Sequence, residues 1–502
     1  MAEIRTAAEA SGWERHTSHE EMMDYLEALQ AAGGELQVES YGESHEGREL
    51  VLVRLGASTP ESPEEAHDRG HPILLLGANA HGFNYTLRES LLLLVREMAT
   101  PGTELNRRLD RMVVLVAPSK NPDGLQAESR FNAAGADLNR DYMTLDQPET
   151  AAYVGSVVNR WRPHLLVDGH DGGAVQYGGA EPYALLYQAP ATAAADPALT
   201  ELADREIFPR ISERFEGEGL EAFYWARGEP DAWYGGGSAP RMGRNYGGLA
   251  DILSILFEVA AWPEWHDSVD AGVLALTTIL DFAHEDGDRL LDQVLETRRR
   301  TLALGGRADA PIPVEEEMVA EADPVRYRIP HPDRPGDFLE VTEGELVKRP
   351  EGTRFRERPL AYLLPSEATE AVDLLQRHGI QVQRLTESME LEVRGYRLAG
   401  LGEEEGRDES ESVTRVEIGE VVDEVRTIEA GSWLVRTDQP LGRVITHLLE
   451  AETTESVIYW GRMAPLLPGE ALRRHLDDPE THPAPLVPIL KVMTEFDAPL
   501  ER

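Results

Sequence analysis

The sequence predicts an α/β protein in which a mostly parallel, buried sheet is followed by a second, β-rich domain. Three observations predict this fold class. Uniformly apolar runs such as PILLLGANA, MVVLVAPS and HLLVDGH are typical of strands that are buried on both faces. Amphipathic stretches of helical length alternate with these runs, as in proteins with parallel sheets. Toward the C-terminus, shorter runs that alternate apolar and polar residues replace this pattern.

The elements of the first domain follow in order. An amphipathic helix begins in SHEEMMDYLEALQAAGG, where Ser18 and Glu21 form a capping box and two glycines mark the end. The strands LQVES and ELVLVRLG come next, joined by a GESHEGR turn. The three apolar strands and a fourth, SILFEVA, complete the sheet, and helices are predicted at residues 87–98, 149–161 and 269–304. Functional residues are expected at the strand ends, where parallel sheets bind their ligands.

The chain of 502 residues is longer than one hydrophobic core usually organises. Residues 1–304 are predicted to form the first domain. Residues 305–324 are rich in Pro, Ala and Glu and are predicted to be a linker. Residues 325–502 are predicted to form a β-rich accessory domain with one helix near residues 367–378.

Composition excludes several classes of function. The chain has no cysteine, so it has no disulfides, thiolate metal ligands or cysteine nucleophile. A net charge of −43 argues against nucleic acid as a partner, because phosphate binding needs clustered cations. No segment offers the roughly 20 apolar residues that span a bilayer, and the N-terminus lacks the pattern of a signal peptide. We therefore expect a soluble, cytoplasmic protein that does not bind membranes.

Polar residues cluster at the ends of the predicted strands. Two histidines, a glutamate and nearby arginines would together form a hydrolytic metal site, with zinc ligands, a general base and cations for charge that develops on a carbonyl oxygen. A glutamate inside an apolar strand also needs a partner, since burying it alone is costly. The clusters are His81 and Asn84 after PILLLGANA, the turn KNPDG, the segment RFNAAGADLNRD with Arg130, Asn139 and Arg140, Asp168 and His170 in VDGHDGG, and Glu258 in SILFEVAA.

Two of these clusters also have simpler interpretations. KNPDG is predicted to be a tight turn, because Asn, Pro, Asp and Gly all favour turns. Asp168 is predicted either to orient His170 or to form a salt bridge.

The order of these motifs resembles that of the zinc carboxypeptidases related to carboxypeptidase A. The similarity runs from about residue 13 to residue 262 and includes YGESHEGREL, NPDG and DLNR. It implies a mixed, mostly parallel eight-stranded sheet flanked by helices, and one Zn²⁺ per chain. The C-terminal domain is more weakly similar to an accessory β domain of larger bacterial members, particularly in TDQPLGRVITHLLE.

The resemblance implies a role for each residue at the centre. His81 and His170 match the zinc histidines of the family, and Asn84 lies where the family has a glutamate ligand. Arg130 matches the arginine that polarises the scissile carbonyl. Glu258 matches the general base that takes a proton from the attacking water and returns it to the leaving amine.

Further residues match those that contact the substrate. Asn139 and Arg140 match the pair that binds a terminal carboxylate, and either Tyr234 or Tyr246 matches the tyrosine that covers the substrate. The expected partner is a peptide or acyl amino acid with a free carboxylate.

Asn84 is the departure from the family pattern, because its amide oxygen is a neutral ligand that binds zinc less tightly than a carboxylate. Three outcomes are open. A metal binds through His81, Asn84 and His170; another carboxylate, Glu89 or Asp171, completes the ligands; or the metal is lost and the fold is a binding module.

The predicted function is that of a zinc-dependent metallocarboxypeptidase, which hydrolyses an amide bond next to a free carboxylate. Two alternatives remain from the sequence. One is an amidase or deacylase that acts on small acyl amino acids or cell-wall peptides. The other is a metal-free pseudo-peptidase that binds peptide termini.

Overall fold

The computed structural model describes residues 1, 3–57, 59–172, 182–260, 262, 264–308, 310–331, 333–334, 336–405 and 412–501. They divide into two units, one of Met1–Leu295 with Met318–Pro350 and the other of Glu296–Glu317 with Glu351–Arg502.

The elements up to residue 305 include the strands of the large sheet. They are α1 (Ala7–Ala10), α2 (His19–Ala31), β1 (Gln37–Glu43), β2 (Glu49–Leu55), α3 (Pro63–Asp68), β3 (Ile73–Ala78), α4 (Thr86–Ala99), α5 (Glu104–Arg108), β4 (Val113–Ala117), α6 (Pro122–Gln126), α7 (Pro148–Ala152), α8 (Asn159–Trp161), β5 (Leu165–Asp171), β6 (Leu185–Gln188), α9 (Pro197–Leu202), α10 (Phe208–Gly217), β7 (Ala222–Tyr224), β8 (Ala226–Gly228), β9 (Ala232–Gly235), α11 (Gly243–Leu249), β10 (Leu253–Val259) and α12 (Trp265–Gly305).

The remaining elements are mostly strands. They are β11 (Pro311–Ala320), β12 (Val325–Pro330), β13 (Phe338–Glu357), β14 (Ala361–Leu364), α13 (Thr369–Arg377), β15 (Gln383–Arg384), β16 (Met389–Glu405), β17 (Ser412–Ile428), β18 (Trp433–Arg436), α14 (Gly442–Leu449), α15 (Gly469–Asp477) and β19 (Leu490–Val492).

The first unit contains an eight-stranded sheet in the order β1-β2-β4-β3-β5-β10-β6-β7. Its centre, β4-β3-β5-β10, is parallel, whereas β1, β2 and β6 each pair antiparallel with a neighbour. Every residue of β3 and β4 is buried, which explains why these strands are uniformly apolar. The predicted fold class is therefore confirmed.

The helices of this unit follow from local sequence signals. Ser18 and Glu21 form the predicted capping box at the start of α2. α4 occupies residues 86–99 and buries most of its side chains, close to the predicted 87–98. The predicted helix at 149–161 is observed as α7 and α8 joined through a π-helical segment, Tyr153–Val158.

A smaller sheet of the first unit contains β8, β9, β12 and part of β13. Glu345–Val347 pair in parallel with Ala232–Tyr234. Its core is aromatic, with Trp233 buried among Tyr183 and Tyr327.

The second unit contains a six-stranded sheet in the order β15-β18-β14-β19-β16-β17. Its β-rich character agrees with the prediction, and α13 lies where one helix was expected. The division of the chain differs from the predicted boundaries. Residues 305–324, predicted as a linker, contain β11, whose alternation of buried and exposed side chains is that of a strand. Residues 318–350 belong to the first unit.

Among the described residues, no helix is both long and apolar enough to cross a membrane.

Candidate metal centre

The loop after β3 carries the first two candidate ligands, and one side chain organises it. Asn79 has a φ of +60°, which Asn tolerates better than most residues. Its Nδ2 donates to the carbonyl oxygens of His81, Gly82 and Asn84 at 3.0–3.1 Å. The hydroxyl of Ser119 donates to Asn79 Oδ1 at 2.8 Å and fixes the amide. Asn79 therefore fixes the conformation of this loop through its three hydrogen bonds.

The NPDG segment contacts the same loop at Ala80 and Gly82. Asn121 caps α6 through its Oδ1, and its Nδ2 donates to the carbonyl oxygen of Ala80 at 3.1 Å. The backbones of Gly82 and Gly124 touch, since a Cβ on Gly82 would lie 2.0 Å from the carbonyl carbon of Gly124. The predicted turn is thus the first turn of a short helix, and it positions the residue next to His81.

Strands β5 and β10 bring the other candidate residues to the same sheet edge. Asp168 and His170 lie two residues apart on β5, so their side chains point to the same face. Glu258 on β10 pairs in parallel register with His170. Neighbouring residues in register share a face. The half-buried Glu258 therefore lies beside His170.

Three donor atoms form a small triangle at this edge. His81 Nδ1 lies 3.1 Å from Asn84 Oδ1 and 3.3 Å from His170 Nδ1. The third side, from His170 Nδ1 to Asn84 Oδ1, is 3.3 Å. A tetrahedral ion with bonds of about 2.0–2.1 Å separates its ligands by about 3.3–3.4 Å. The residues present therefore fit a zinc ion.

The amide of Asn84 is oriented for this role. Its Nδ2 donates to the carbonyl oxygen of Asp171 at 2.9 Å. This bond turns Oδ1, the only acceptor of the side chain, toward the two histidines. Asn84 is 2% exposed, so no water competes freely for that oxygen.

The two carboxylates that could have completed the ligands are committed elsewhere. Asp171 accepts from the backbone N–H groups of Thr86 and Leu87, at 2.6 and 3.2 Å, at the start of α4. Glu89 accepts from the backbone N–H and the hydroxyl of Thr17 at 2.8 and 2.9 Å. Within the described parts of the chain, no group of three His, Asp or Glu side chains could hold a metal. Among the residues that the structure describes, the triad that fits a metal includes the amide.

Asp137 holds His81 from the side opposite the triangle. Its Oδ1 accepts from His81 Nε2 at 3.1 Å. Burial lowers the pKa of His81 to about 4, although the hydrogen bond to Asp137 opposes this. His81 is therefore neutral at pH 7, and a proton on Nε2 leaves the lone pair of Nδ1 facing the triangle. Burial opposes ionisation of Asp137, but the hydrogen bond from His81 and nearby arginines hold the pKa of this carboxyl below its usual range.

Asp168 forms the predicted salt bridge, with Lys120, and also lies beside His170. Its Oδ2 lies 3.3 Å from His170 Nε2, and its Oδ1 accepts from Lys120 Nζ at 2.6 Å. Burial opposes ionisation, but Lys120 and His170 hold the pKa of Asp168 well below its usual range. This carboxylate therefore lies beside Nε2 of His170, while Nδ1 of the same ring faces the triangle.

The arginines and Asn139 surround the centre. Arg130 donates to Asp137 Oδ2 from Nε at 3.0 Å and from Nη2 at 2.9 Å. Asn139 Nδ2 lies 3.4 Å from His170 Nε2, and its Oδ1 accepts from the backbone N–H of Gly243 at 2.9 Å. Arg140 is half-buried and donates to the carbonyl oxygen of Asn139 at 2.9 Å.

Part of the chain is similar to a known protein family. Residues 22–215 match the family described as zinc carboxypeptidase. This part of the chain is therefore similar to a zinc carboxypeptidase domain. The chain is 25% identical over 442 residues to carboxypeptidase 2 of Trichophyton tonsurans, covering 83% of this chain and 78% of the relative. It is 32% identical over 164 residues to carboxypeptidase D of Mus musculus, covering 26% of this chain and 12% of that protein.

Solved carboxypeptidase structures also resemble the chain over about half its length. The metallo-carboxypeptidase from Burkholderia cenocepacia is 24% identical, covers 53% of this chain and 69% of its own, and has a TM-score of 0.42. The carboxypeptidase A from Helicoverpa armigera is 16% identical, covers 54% and 74%, and has a TM-score of 0.41.

The two candidate tyrosines lie in different surroundings. Tyr246 is fully buried on α11, and its hydroxyl accepts from Asn159 Nδ2 at 2.7 Å. The structure therefore directs this hydroxyl to Asn159. Tyr234 on β9 is 40% exposed, with Arg227 5.8 Å from its ring. Tyr234 is the candidate whose surface is accessible.

Sequence reasoning missed three supporting residues, Asn79, Lys120 and Asp137. The rarity of lysine was a sequence signal for Lys120, because the chain has only three lysines. In the structure, each of the three forms an ion pair of 2.6 Å. Asn79 and Asp137 carried no such signal, since their roles depend on neighbours that the fold brings together.

Proposed function

We propose that the first unit hydrolyses the peptide bond before a C-terminal residue with a free carboxylate, using Zn²⁺ held by His81, Asn84 and His170. The observation that carries this proposal is the triangle of donor atoms with sides of 3.1–3.3 Å. The zinc carboxypeptidase match over residues 22–215 supports it.

The protein orients two imidazoles toward the same position. Asp137 accepts from His81 Nε2, and Asp168 Oδ2 lies 3.3 Å from His170 Nε2, so Nδ1 of each histidine faces the triangle and is available to a metal. When bound, zinc would lower the pKa of a water molecule and polarise the scissile carbonyl.

Glu258 moves the protons. Its carboxylate lies on the strand next to His170 and in register with it. It accepts a proton from the attacking water and then donates that proton to the leaving amine. A half-buried position keeps Glu258 accessible to water while it remains close to the centre.

The arginines bind the charged parts of the substrate. Arg130 has Nε and Nη2 on Asp137, which leaves Nη1 to donate to the oxygen of the scissile carbonyl. Arg140 and Asn139 hold the terminal carboxylate, a task that suits the planar donors of a guanidinium.

The neutral Asn84 changes the charge of the site. Three uncharged ligands leave the full charge of the metal in place, whereas a carboxylate would cancel part of it. We therefore expect weaker zinc binding than a glutamate would give, together with stronger polarisation of the substrate carbonyl.

Turnover of matched peptides tests this function. The zinc-loaded full chain should hydrolyse benzoyl-dipeptides with a free C-terminus and leave the C-terminally amidated forms intact. Glu258→Gln should lower kcat by at least about 100-fold while zinc binding is retained, because only proton transfer is lost. Glu213→Gln, at an exposed position on α10, is the control and should behave as the parent.

Two other outcomes would contradict parts of the proposed function. Equal hydrolysis of the amidated peptides would contradict the role of Arg140 and favour the amidase alternative. Binding of the free-acid peptides without turnover, by a protein with its full zinc, would contradict the hydrolase and favour the module that binds peptide termini.

A further inference from the structure

Within the described parts of the chain, a third arginine lies close to the metal centre without a carboxylate partner. Arg244 is the second residue of α11 and is only 2% exposed. Its Nη2 donates to the carbonyl oxygen of Gly237 at 2.6 Å, and its Nη1 lies 3.9 Å from the sulfur of Met242. Its Nε has no hydrogen-bond partner among the described residues. Its guanidinium carbon lies 5.1 Å from the centre of the Trp225 ring.

The position of Arg244 is fixed relative to the centre by the residue before it. The backbone N–H of Gly243 donates to Asn139 Oδ1 at 2.9 Å. A Cβ at Gly243 would lie 2.6 Å from Asp168 Oδ2, so only glycine fits this close approach. The start of α11 therefore packs directly against the side chains that support His170.

The charges around Arg244 are those of the catalytic centre. Burial lowers the pKa of Arg244 to about 9, and the carboxylates of Asp168 and Glu258 oppose this shift while Arg140 adds to it. The guanidinium is still protonated at pH 7. Asp168 is occupied by Lys120 and His170, so it is not the counter-ion of Arg244.

An enclosed guanidinium without a counter-ion is costly, and binding of an anionic ligand would offset that cost. A bidentate carboxylate is the group that matches the fork of an arginine best. In the proposed function, the terminal carboxylate of the substrate occupies Arg140. A second carboxylate, carried by the same residue of the substrate, would then be available to Arg244.

We propose that Arg244 binds the side-chain carboxylate of the substrate's C-terminal residue, so that the enzyme prefers peptides ending in glutamate or aspartate. This inference rests on the proposed function and names its substrate class. Trp225 packs on the guanidinium and restricts its position, which favours a defined distance between the two bound carboxylates.

The test compares benzoyl-Gly-Glu with benzoyl-Gly-Gln, which have the same shape and differ by one charge. The zinc-loaded full chain should show a kcat/KM at least about tenfold higher for the glutamate peptide. Arg244→Met should remove this preference by slowing the glutamate peptide alone, and Arg244→Lys should restore part of it. Arg214→Met removes a half-exposed arginine of α10 and should leave the preference unchanged.

A binding measurement separates failure of this inference from failure of the proposed function. N-acetylglutamate should raise the Tm of the zinc-loaded chain more than N-acetylglutamine does, and Arg244→Met should abolish that difference even if no peptide is hydrolysed. Turnover of both peptides at equal rates would overturn the substrate class while leaving the hydrolase intact. Equal slowing of both peptides in a folded Arg244→Met would also overturn it, because Arg244 would then serve the terminal carboxylate. A similar Tm gain from both acetyl amino acids in the parent would contradict the assignment of Arg244 in either case.

Discussion

Replacing Asp137 by Asn tests how the protein prepares His81 for a metal. Oδ1 of Asp137 accepts from His81 Nε2 at 3.1 Å, and Oδ2 accepts from Arg130 Nε at 3.0 Å. Asn has only one side-chain oxygen. If that oxygen stays with His81, the new NH₂ group faces the donors of Arg130. If the amide turns over, the NH₂ group faces Nε2 and favours the tautomer with a proton on Nδ1, which removes the lone pair from the triangle.

The size of the effect follows from burial and charge. The Asp137 side chain is 13% exposed, so its ionic hydrogen bond is only weakly screened. Loss of such a partner of a ligand histidine typically lowers metal affinity by about 10–100-fold. This corresponds to about 1.4–2.7 kcal/mol of binding free energy.

The assay is a zinc titration at pH 7 in competition with a chelating dye, which gives the Kd of the parent and of each variant. Asp141→Asn is the matched control, since Asp141 is a buried acid of the same segment that bonds Thr144 and backbone N–H groups instead of a histidine. A Kd for Asp137→Asn within about threefold of the parent, or an equal loss in Asp141→Asn, would refute the reasoning.

Three further predictions concern stability and the loop. Lys120→Met should lower the free energy of unfolding of the first unit by about 3–5 kcal/mol in urea denaturation, because it removes the ammonium partner of the buried Asp168; a loss below about 1 kcal/mol would contradict the buried ion pair. Burial lowers the pKa of His447 from 6.5 to about 4. The stability that the second unit gains while this side chain is neutral is therefore complete above pH 6.5 and is lost as the pH falls toward 4. The loss amounts to about 3 kcal/mol of unfolding free energy. His447→Phe should remove this part of the pH dependence of unfolding, and identical pH profiles of parent and variant would exclude the effect. Gly82→Ala should abolish stoichiometric zinc binding, since its Cβ meets backbone at 2.0 Å, whereas Gly217→Ala, with open space, should not; retained zinc in both would show that the loop can shift.

The sequence predicted the central strands because their burial leaves a direct mark on composition. β3, β4, β5 and β10 are apolar through nearly their whole length, and polar residues at their ends stand out against that background. Position at a strand end was therefore enough to bring His81, His170 and Glu258 together in the prediction.

The segment after residue 182 was much harder to read. β7, β8 and β9 have only three or four residues each, and most of their residues are not fully buried, so no periodicity identifies them. Tyr234 lies on one of these short strands, whereas Tyr246 lies inside α11. Burial of Tyr246 follows from helix packing, which a motif match does not reveal.

The supporting contacts were hidden for a different reason. Asp137 lies within a polar segment of the sequence, yet its partner His81 is distant in sequence, and only the folded chain shows which carboxylate reaches that ring. The same holds for Asn79, whose three hydrogen bonds shape the loop of the ligands.

The most direct test of the central claim is the zinc content and zinc affinity of the full chain and its Asn84 variants, measured by elemental analysis after purification without chelator and by titration. We predict about one zinc per chain in the parent, loss of zinc in His81→Ala, weaker binding in Asn84→Ala and tighter binding in Asn84→Glu. If the parent binds no zinc even when zinc is supplied, while Asn84→Glu does, then Asn84 is not a metal ligand and the chain is not a zinc hydrolase.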